Sequence, residues 1–291
     1  MTGPPGSGFY ARPGKMTAAG HHAPELAALP DQLTLLTRIV QGVLIHEHLA
    51  QAYGEDLTPD RRLQSNVRPV EQMLEAILTD GAPLSQERPP GRRLVGVCRH
   101  FALLLVAMLR AKAVAARARC GFGAYFETGR YIDHWVCEYW NAAQARWVLV
   151  DAQIDERQTA MFKPDFDLLD VPRDMFVVAG DAWRRCRAGE ADPAAFGMLD
   201  MRGLWFVSGN VVRDFAALNN MEMLPWDVWG AMAGPDQPIE AAQLGLLDDV
   251  AALTLAPGER FDELRALYDG DDRLRVPPMV RNAVLNRMDS V

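Results

Sequence analysis

The chain has 291 residues, of which 49% are hydrophobic, and a formal net charge of -8. A chain of this length and composition can bury a large core, so its folding requires neither disulfides nor a structural metal. The negative charge excludes a protein whose main partner is nucleic acid, because phosphate binding needs a concentrated basic face.

Cysteine usage and hydropathy predict where the protein resides. Four cysteines are too few for a disulfide scaffold at this length, and the first residues, MTGPPGSGFYARPGK, lack the apolar stretch of a signal peptide. The longest apolar run, Phe101 to Leu109, is about half of what a bilayer crossing requires. We therefore predict a cytosolic protein with reduced thiols and no membrane span.

The first third of the chain predicts a leader followed by helices. Residues 1–25 are rich in Gly and Pro and show no period, which predicts a disordered leader. From Asp31, a good N-cap, to Tyr53 the apolar residues recur at helical spacing, and a second helix is predicted around Val70 to Leu78. The turn-forming stretch TDGAPLSQERPPGRR then leads to Cys98.

The middle of the chain predicts a buried helix and a sheet. A helix is predicted from Cys98 to about Ala116, and three aromatic and β-branched segments, ARARCGFGAYF, DHWVCEYWN and RWVLVDAQI, are typical of strands. The stretch NAAQA between the last two indicates a hairpin loop. The predicted class is α+β, with a leader (1–25), a catalytic domain (26–185) and a mixed C-terminal extension (186–291) packed on the core through its Trp and Phe residues.

Cys98 is the first candidate for chemistry. The helix after it is apolar on every side and therefore belongs inside the protein, which places its first turn at the edge of the core. Backbone N–H groups without helical partners and the positive end of the helix dipole favour a thiolate there. The same N–H groups can stabilise the oxyanion of a tetrahedral intermediate.

A cysteine nucleophile needs a base, and His134 is the strongest candidate because it opens a predicted strand at a sheet rim. His21 and His22 lie in the leader, and His46 and His48 lie in HEH, on a predicted surface helix where they point in opposite directions. His100 is two residues from Cys98 and points elsewhere on a helix.

Asp151, at the end of RWVLVD, is the candidate that orients this base. If Asn141 pairs with Arg146 in the hairpin, Val136 faces Asp151 and His134 faces Gln153. Asp151 is then a diagonal neighbour of His134 on the same face of the sheet. A register shifted by one residue would put the two side chains on opposite faces and destroy the triad.

These residues carry a family resemblance. The order GVCRHFA, then DHWVCEYW, then RWVLVDAQ resembles the transglutaminase-like superfamily over roughly residues 60 to 155. The resemblance implies a papain-like α+β core, in which a helix with an N-terminal cysteine packs on an antiparallel sheet. It also implies a catalytic triad in which Cys98 is the nucleophile, His134 the general base and acid, and Asp151 the orienting residue. Superfamily members include cross-linking enzymes, peptidases, amidases, amide-forming enzymes and inactive relatives, so the resemblance does not choose a reaction.

Further residues have weaker candidate roles. Arg99 could contact a substrate carboxylate through its guanidinium fork, Trp135 could wall the acyl site or simply pack beneath the histidine, and Gln64 could add a side-chain amide to the oxyanion hole. Asp133 is expected to be exposed at the start of its strand.

The competing interpretations are structural. Cys120 and Cys137 are predicted to be small core residues, and Cys186 has no assigned role. A zinc site built from His134, Cys137, Cys98 and His100 is disfavoured, because residues 134 and 137 of a strand point to opposite faces. We expect no metal, no calcium dependence and no cofactor.

The sequence therefore predicts a thiol enzyme that acts on an amide of a small molecule or peptide through a Cys98 thioester. Water would release the acyl group in a hydrolase, and an acceptor amine would do so in an acyltransferase. The alternative is a catalytically inactive transglutaminase-like module that binds or scaffolds.

Overall fold

The fold combines helices with short strands, and the computed structural model describes residues 3–235 and 237–291. The α-helices are α1 (Ser7–Tyr10), α2 (Ala23–Ala27), α3 (Leu33–Val43), α4 (Pro59–Leu63), α5 (Val70–Ile77), α6 (Cys98–Ala111), α7 (Glu156–Phe162), α8 (Ala179–Arg187), α9 (Leu204–Leu218), α10 (Ala241–Leu255) and α11 (Phe261–Gly270). The strands are β1 (Leu44–His46), β2 (Leu94–Gly96), β3 (Ala116–Gly123), β4 (Tyr131–Asn141), β5 (Arg146–Val150), β6 (Phe176–Val178), β7 (Phe196–Met198), β8 (Met201–Arg202), β9 (Asp227–Val228), β10 (Met279–Asn282) and β11 (Arg287–Ser290). The predicted α+β class is confirmed.

The chain divides into two compact units. The first contains Ser7–Ala118 and Val136–Val171, and the second contains Pro4–Gly6, Arg119–Trp135 and Pro172–Val291. The domain boundaries predicted after residues 25 and 185 stay predictions. No helix in the described part of the chain is long and apolar enough to cross a membrane.

The centre of the first unit is α6. Every residue from Cys98 to Arg110 is buried, and the helix packs against α2, α3, α5, β1 and β2. The helix ends at Ala111, earlier than predicted, because the next residues form a left-handed turn. Ala113 has a φ of 55°, and Val114 N–H donates to Leu109 O across that turn.

The predicted helix from Asp31 to Tyr53 is wrong beyond Val43. Leu44–His46 forms β1, which pairs in parallel with β2, and Glu47–Tyr53 forms a 3₁₀ helix. His46 is thus buried at the end of a strand, where its Nδ1 accepts a hydrogen bond from His48 N–H, and does not lie on a surface helix. The β1–β2 pairing, which a local period cannot reveal, overrides the helical pattern.

Residues 3–25 also differ from the disordered leader predicted for residues 1–25. Tyr10 and Met16 are buried, and Thr17 Oγ accepts a hydrogen bond from Arg110 Nη1 at 2.9 Å. Val70 N–H donates to Met16 O at 2.8 Å. The segment is rich in Gly and Pro and still folds, because a few large side chains bury enough surface to anchor it.

The β4–β5 hairpin has the register predicted from the sequence. Asn141 pairs with Arg146 and Cys137 pairs with Val150, in antiparallel order. Trp140 N–H donates to Ala115 O, which connects this part of β4 to the segment that enters β3.

The largest sheet among the described residues has the strand order β6-β3-β4-β7-β8, with β5 paired to β4, and its strands β3 and β4 each contribute residues to both units. The β3–β6 and β7–β8 pairs are antiparallel, whereas β4 and β7 are parallel. The sheet is therefore mixed, whereas the sequence predicted an antiparallel sheet. Helices α8, α9 and α10 pack against one another, and β9, β10 and β11 form a separate small sheet.

Candidate active site

Cys98 is the first residue of α6, directly after the strand β2 and the extended residue Val97. It is 5% exposed. The positive end of the helix dipole favours negative charge at this position. The local structure is therefore the one that the sequence predicts for a nucleophilic thiolate.

His100 fixes the turn that presents Cys98. Its Nδ1 accepts a hydrogen bond from Val97 N–H at 3.1 Å, so its Nε2 carries the proton and donates to Val67 O at 3.0 Å. Burial, helped by the Arg99 charge, lowers the pKa of His100 to about 3, and the ring stays neutral. Sequence reasoning discounted His100 as a base and missed this capping role. The signal was its position at the third residue of the helix, where a side chain can reach back to the N-cap.

Gly96 makes room for the His100 ring. A Cβ at this position would lie 2.9 Å from both Cβ and Cγ of His100, which is closer than carbon atoms pack. The glycine in GVCRH is thus explained by close approach.

Gln64 is anchored to the strand that precedes Cys98. Its Oε1 accepts a hydrogen bond from Val95 N–H at 3.1 Å. The carbonyl end of the side chain is thereby occupied, and the NH₂ end remains the group that could donate to a substrate oxygen.

Asp151 follows β5 directly and is fully buried. Its Oδ1 accepts a hydrogen bond from Gln153 N–H at 2.9 Å. Gln153 Nε2 donates to Gln158 Oε1, and Gln158 Nε2 donates to the hydroxyl of Tyr53, which in turn donates to Asp155 Oδ2 at 2.7 Å. These bonds form a chain of polar side chains that immobilises the segment after β5.

His134 lies on β4 in the second unit and is 2% exposed. Three aromatic rings surround it edge-on, with centroids at 4.8 Å for Phe126, 6.1 Å for Tyr125 and 6.3 Å for Phe176. Such packing restricts rotation of the imidazole.

Asp133 is buried, and the exposure expected from the sequence is wrong. Its Oδ1 accepts a hydrogen bond from Asn210 Nδ2 at 2.7 Å, and burial raises the pKa of its carboxyl group. Arg213 Nη1 donates to Asn210 Oδ1, so a buried polar network of the second unit begins at the residue before His134. A partner from α9, remote in sequence, could not be foreseen.

The remaining candidates are all buried. Trp135 is 1% exposed, and its indole N–H has no hydrogen-bond partner among the described residues. Arg99 is fully buried, and contact with a substrate carboxylate stays a prediction for it. Cys120 and Cys137 are buried, as predicted for small core residues, and burial raises the pKa of the Cys137 thiol.

Comparison with known protein families finds a similarity for the segment that contains these residues. Residues 82–152 match the model of the transglutaminase-like superfamily. The matched range contains Cys98 and α6, β3, β4 with His134, β5 and Asp151. Residues 82–152 are therefore similar to the core of the transglutaminase-like superfamily.

Among solved structures, the chain is similar to a protein from Cytophaga hutchinsonii proposed to be a cysteine protease. The identity is 15% and the TM-score 0.34, over 60% of this chain. The match spans about half (48%) of that protein. The comparison with curated proteins yields no match.

Proposed function

We propose that this protein is a cysteine-nucleophile hydrolase or acyltransferase that acts on an amide. The observation that carries the proposal is the placement of Cys98 as the first residue of a buried 14-residue helix within a transglutaminase-like core. In this proposal Cys98, His134 and Asp151 form the catalytic triad.

The hairpin register supports the pairing of His134 with Asp151. Cys137 pairs with Val150, so continuing the ladder by one residue sets Asp151 opposite Val136. His134 precedes Val136 by two residues on the same strand, and side chains two apart in a strand project from the same face.

The chemistry proceeds through a thioester. The Cys98 thiolate attacks the amide carbon, a C–S bond forms, and the electron pair moves to the carbonyl oxygen. The N–H groups at the start of α6 and the NH₂ of Gln64 stabilise that oxyanion. His134 gives its proton to the nitrogen, the C–N bond breaks and the amine leaves.

The second half-reaction returns the enzyme to its starting state. His134 removes a proton from water or from an acceptor amine, which attacks the thioester and releases Cys98 as the thiolate. Asp151 holds the imidazole orientation throughout and stabilises its charged form. Arg99 and Trp135 are the residues proposed to bind the substrate, and no cofactor enters the reaction.

A specific observation favours the second candidate, an inactive binding or scaffolding module. Cys98, His134 and Asp151 are 5%, 2% and 0% exposed, so little of the triad is open to a substrate. An inactive module requires no such access.

Intact-mass spectrometry after incubation with a panel of amides separates the two candidates. The enzyme gains one acyl adduct, Cys98→Ala loses it, and Cys186→Ala, which removes a half-buried thiol on α8, retains it. Adding an amine acceptor distinguishes transfer from hydrolysis by the mass of the released product.

Iodoacetamide labelling supplies the independent measurement. A thiolate promoted by the helix N-terminus labels at about pH 6, whereas an ordinary buried thiol does not. Absence of both the adduct and labelling at Cys98 would reject the enzyme and leave the binding module.

A further inference from the structure

Two adjacent histidines near the N-terminus lie beside a carboxylate of α5. His21, His22 and Glu75 each offer a donor atom, and the three atoms lie within 4.8 Å of one another. The histidines belong to a 3₁₀ turn, Gly20–His22, that packs against α5 in the first unit.

The backbone of this turn is built to let a second carboxylate approach. Gly20 has a φ of +53°, in the left-handed region, and a Cβ there would lie 1.7 Å from Glu71 Oε1. Any other residue would expel the Glu71 side chain or strain the turn. Glu71 Oε1 lies 3.6 Å from His21 Nδ1, and Glu71 precedes Glu75 by one helical turn.

The two imidazole rings lie close together, and one of their nitrogens has no hydrogen-bond partner among the described residues. The two ring centroids are 3.8 Å apart at an interplanar angle of 40°. His22 Nε2 is shielded from solvent and has no hydrogen-bond partner among the described residues. A buried ring nitrogen without a partner carries a free-energy cost that a metal ion would remove.

We propose that His21, His22 and Glu75 bind a divalent cation of the zinc class, with Glu71 orienting the His21 ring. Two imidazole nitrogens and one carboxylate are the donor set that zinc accepts, whereas calcium and magnesium prefer oxygen ligands alone. Zinc ligands lie about 2.0–2.2 Å from the ion, so rotation of the exposed His21 and Glu75 side chains must bring the donors slightly closer. The fourth position is open to water.

The ion would join two segments that are distant in sequence. Met16, four residues before the turn Gly20–His22, already accepts a hydrogen bond from the N–H of Val70, the first residue of α5. A ligand that binds only the folded state stabilises that state. Zinc bound here would therefore stabilise the packing of the N-terminal segment against α5.

Zinc titration followed by competition with a chromophoric chelator tests the site. The experiment uses the full chain with Cys98→Ala, which removes the candidate thiolate as a competing ligand. We expect one zinc per chain, a Kd weakened on the order of 100-fold by His22→Ala or Glu75→Gln, and about 10-fold by Glu71→Gln. His48→Ala removes an exposed histidine outside the cluster and leaves the Kd unchanged.

Thermal unfolding tests whether the variants still fold, and the spectrum of the Co²⁺ complex tests whether a cysteine is among the ligands. Without metal, Glu75→Gln should unfold at the wild-type temperature because Glu75 is exposed, and a given zinc concentration should raise the Tm of the wild type by more than that of Glu75→Gln. The Co²⁺ complex should lack thiolate charge-transfer bands. Failure of the wild type to bind zinc, equal binding by His22→Ala and His48→Ala, or a thiolate band would each overturn the proposal.

Discussion

A neutral histidine inside the protein, His100, holds the residues around the candidate nucleophile. Both its ring nitrogens are occupied by backbone groups, Val97 N–H and Val67 O, and its pKa lies far below that of a free imidazole. The folded state therefore resists protonation at a position where the unfolded chain accepts a proton.

This difference makes stability depend on pH. In the unfolded chain His100 titrates near its ordinary pKa of about 6.5, and in the folded protein at about 3. The contribution of His100 to the free energy of unfolding is fully present above about pH 6.5. It is lost as the pH falls from there towards 3, because in that range the unfolded chain binds a proton at His100 and the folded protein does not.

We predict that His100→Gln, which cannot be protonated, flattens this dependence. From pH 7 to pH 5 the wild type should lose about 2 kcal/mol more free energy of unfolding than the variant does. Urea denaturation at both pH values measures the loss, and His48→Gln, at an exposed histidine, should follow the wild type. Parallel curves for the wild type and His100→Gln would contradict the assignment.

At the scale of an element, β3 is buried along its whole length although it contains two arginines. Arg117 and Arg119 project from one face, and each meets a carboxylate: Glu138 in the first unit and Asp214 in the second. Asp214 Oδ1 also accepts a hydrogen bond from Cys120 N–H at 2.9 Å. The charges are tolerated because each has a partner in the same dry environment.

We predict that Arg119→Met destabilises the protein by about 3–5 kcal/mol, since it leaves the Asp214 charge buried without its counter-ion. Adding Asp214→Asn should recover part of the loss, because asparagine is neutral and still accepts from Cys120 N–H. Arg287→Met removes an exposed arginine that pairs with Asp289 and should cost less than about 1 kcal/mol. Denaturant unfolding of the four proteins checks the prediction, and a loss at Arg119 no larger than at Arg287 would refute it.

At the scale of the whole molecule, residues 3–25 are part of the folded structure. Tyr10 is fully buried, its ring lies edge-on to Trp147 at 5.9 Å, and the Arg117 guanidinium stands 5.1 Å above it. The N-terminal segment thus reaches the β4–β5 hairpin.

We predict that Tyr10→Ala lowers the free energy of unfolding by about 3 kcal/mol or more, as expected for a buried aromatic ring. Deleting residues 1–25 should cost more still, because Met16 and the Thr17 contact are lost as well. Arg12→Ala, at an exposed neighbour, should stay within about 0.5 kcal/mol of the wild type. A disordered leader would show no loss for any of the three, as measured by urea unfolding.

The predictions agree with the structure where a feature depends on residues close in sequence, and they fail where it depends on residues distant in sequence. The β4–β5 register and the buried helix beginning at Cys98 depend on residues close in sequence, and both were predicted correctly. His46 and Asp133 were placed wrongly because their surroundings come from β2 and α9. The pairing of His21 and His22 with α5 likewise involves residues about fifty positions apart.

The sequence by itself determined the α+β class and the hairpin register, because apolar periodicity and turn length act locally. It also contains the order Cys98, His134 and Asp151, on which the resemblance to the transglutaminase-like superfamily rests. Tertiary structure alone decided that His100 is a neutral cap, that residues 3–25 are folded, and that His21 and His22 lie close to Glu75. The physical reason is that burial and hydrogen-bond partners depend on which distant segments pack together, and a local pattern contains no information about that choice.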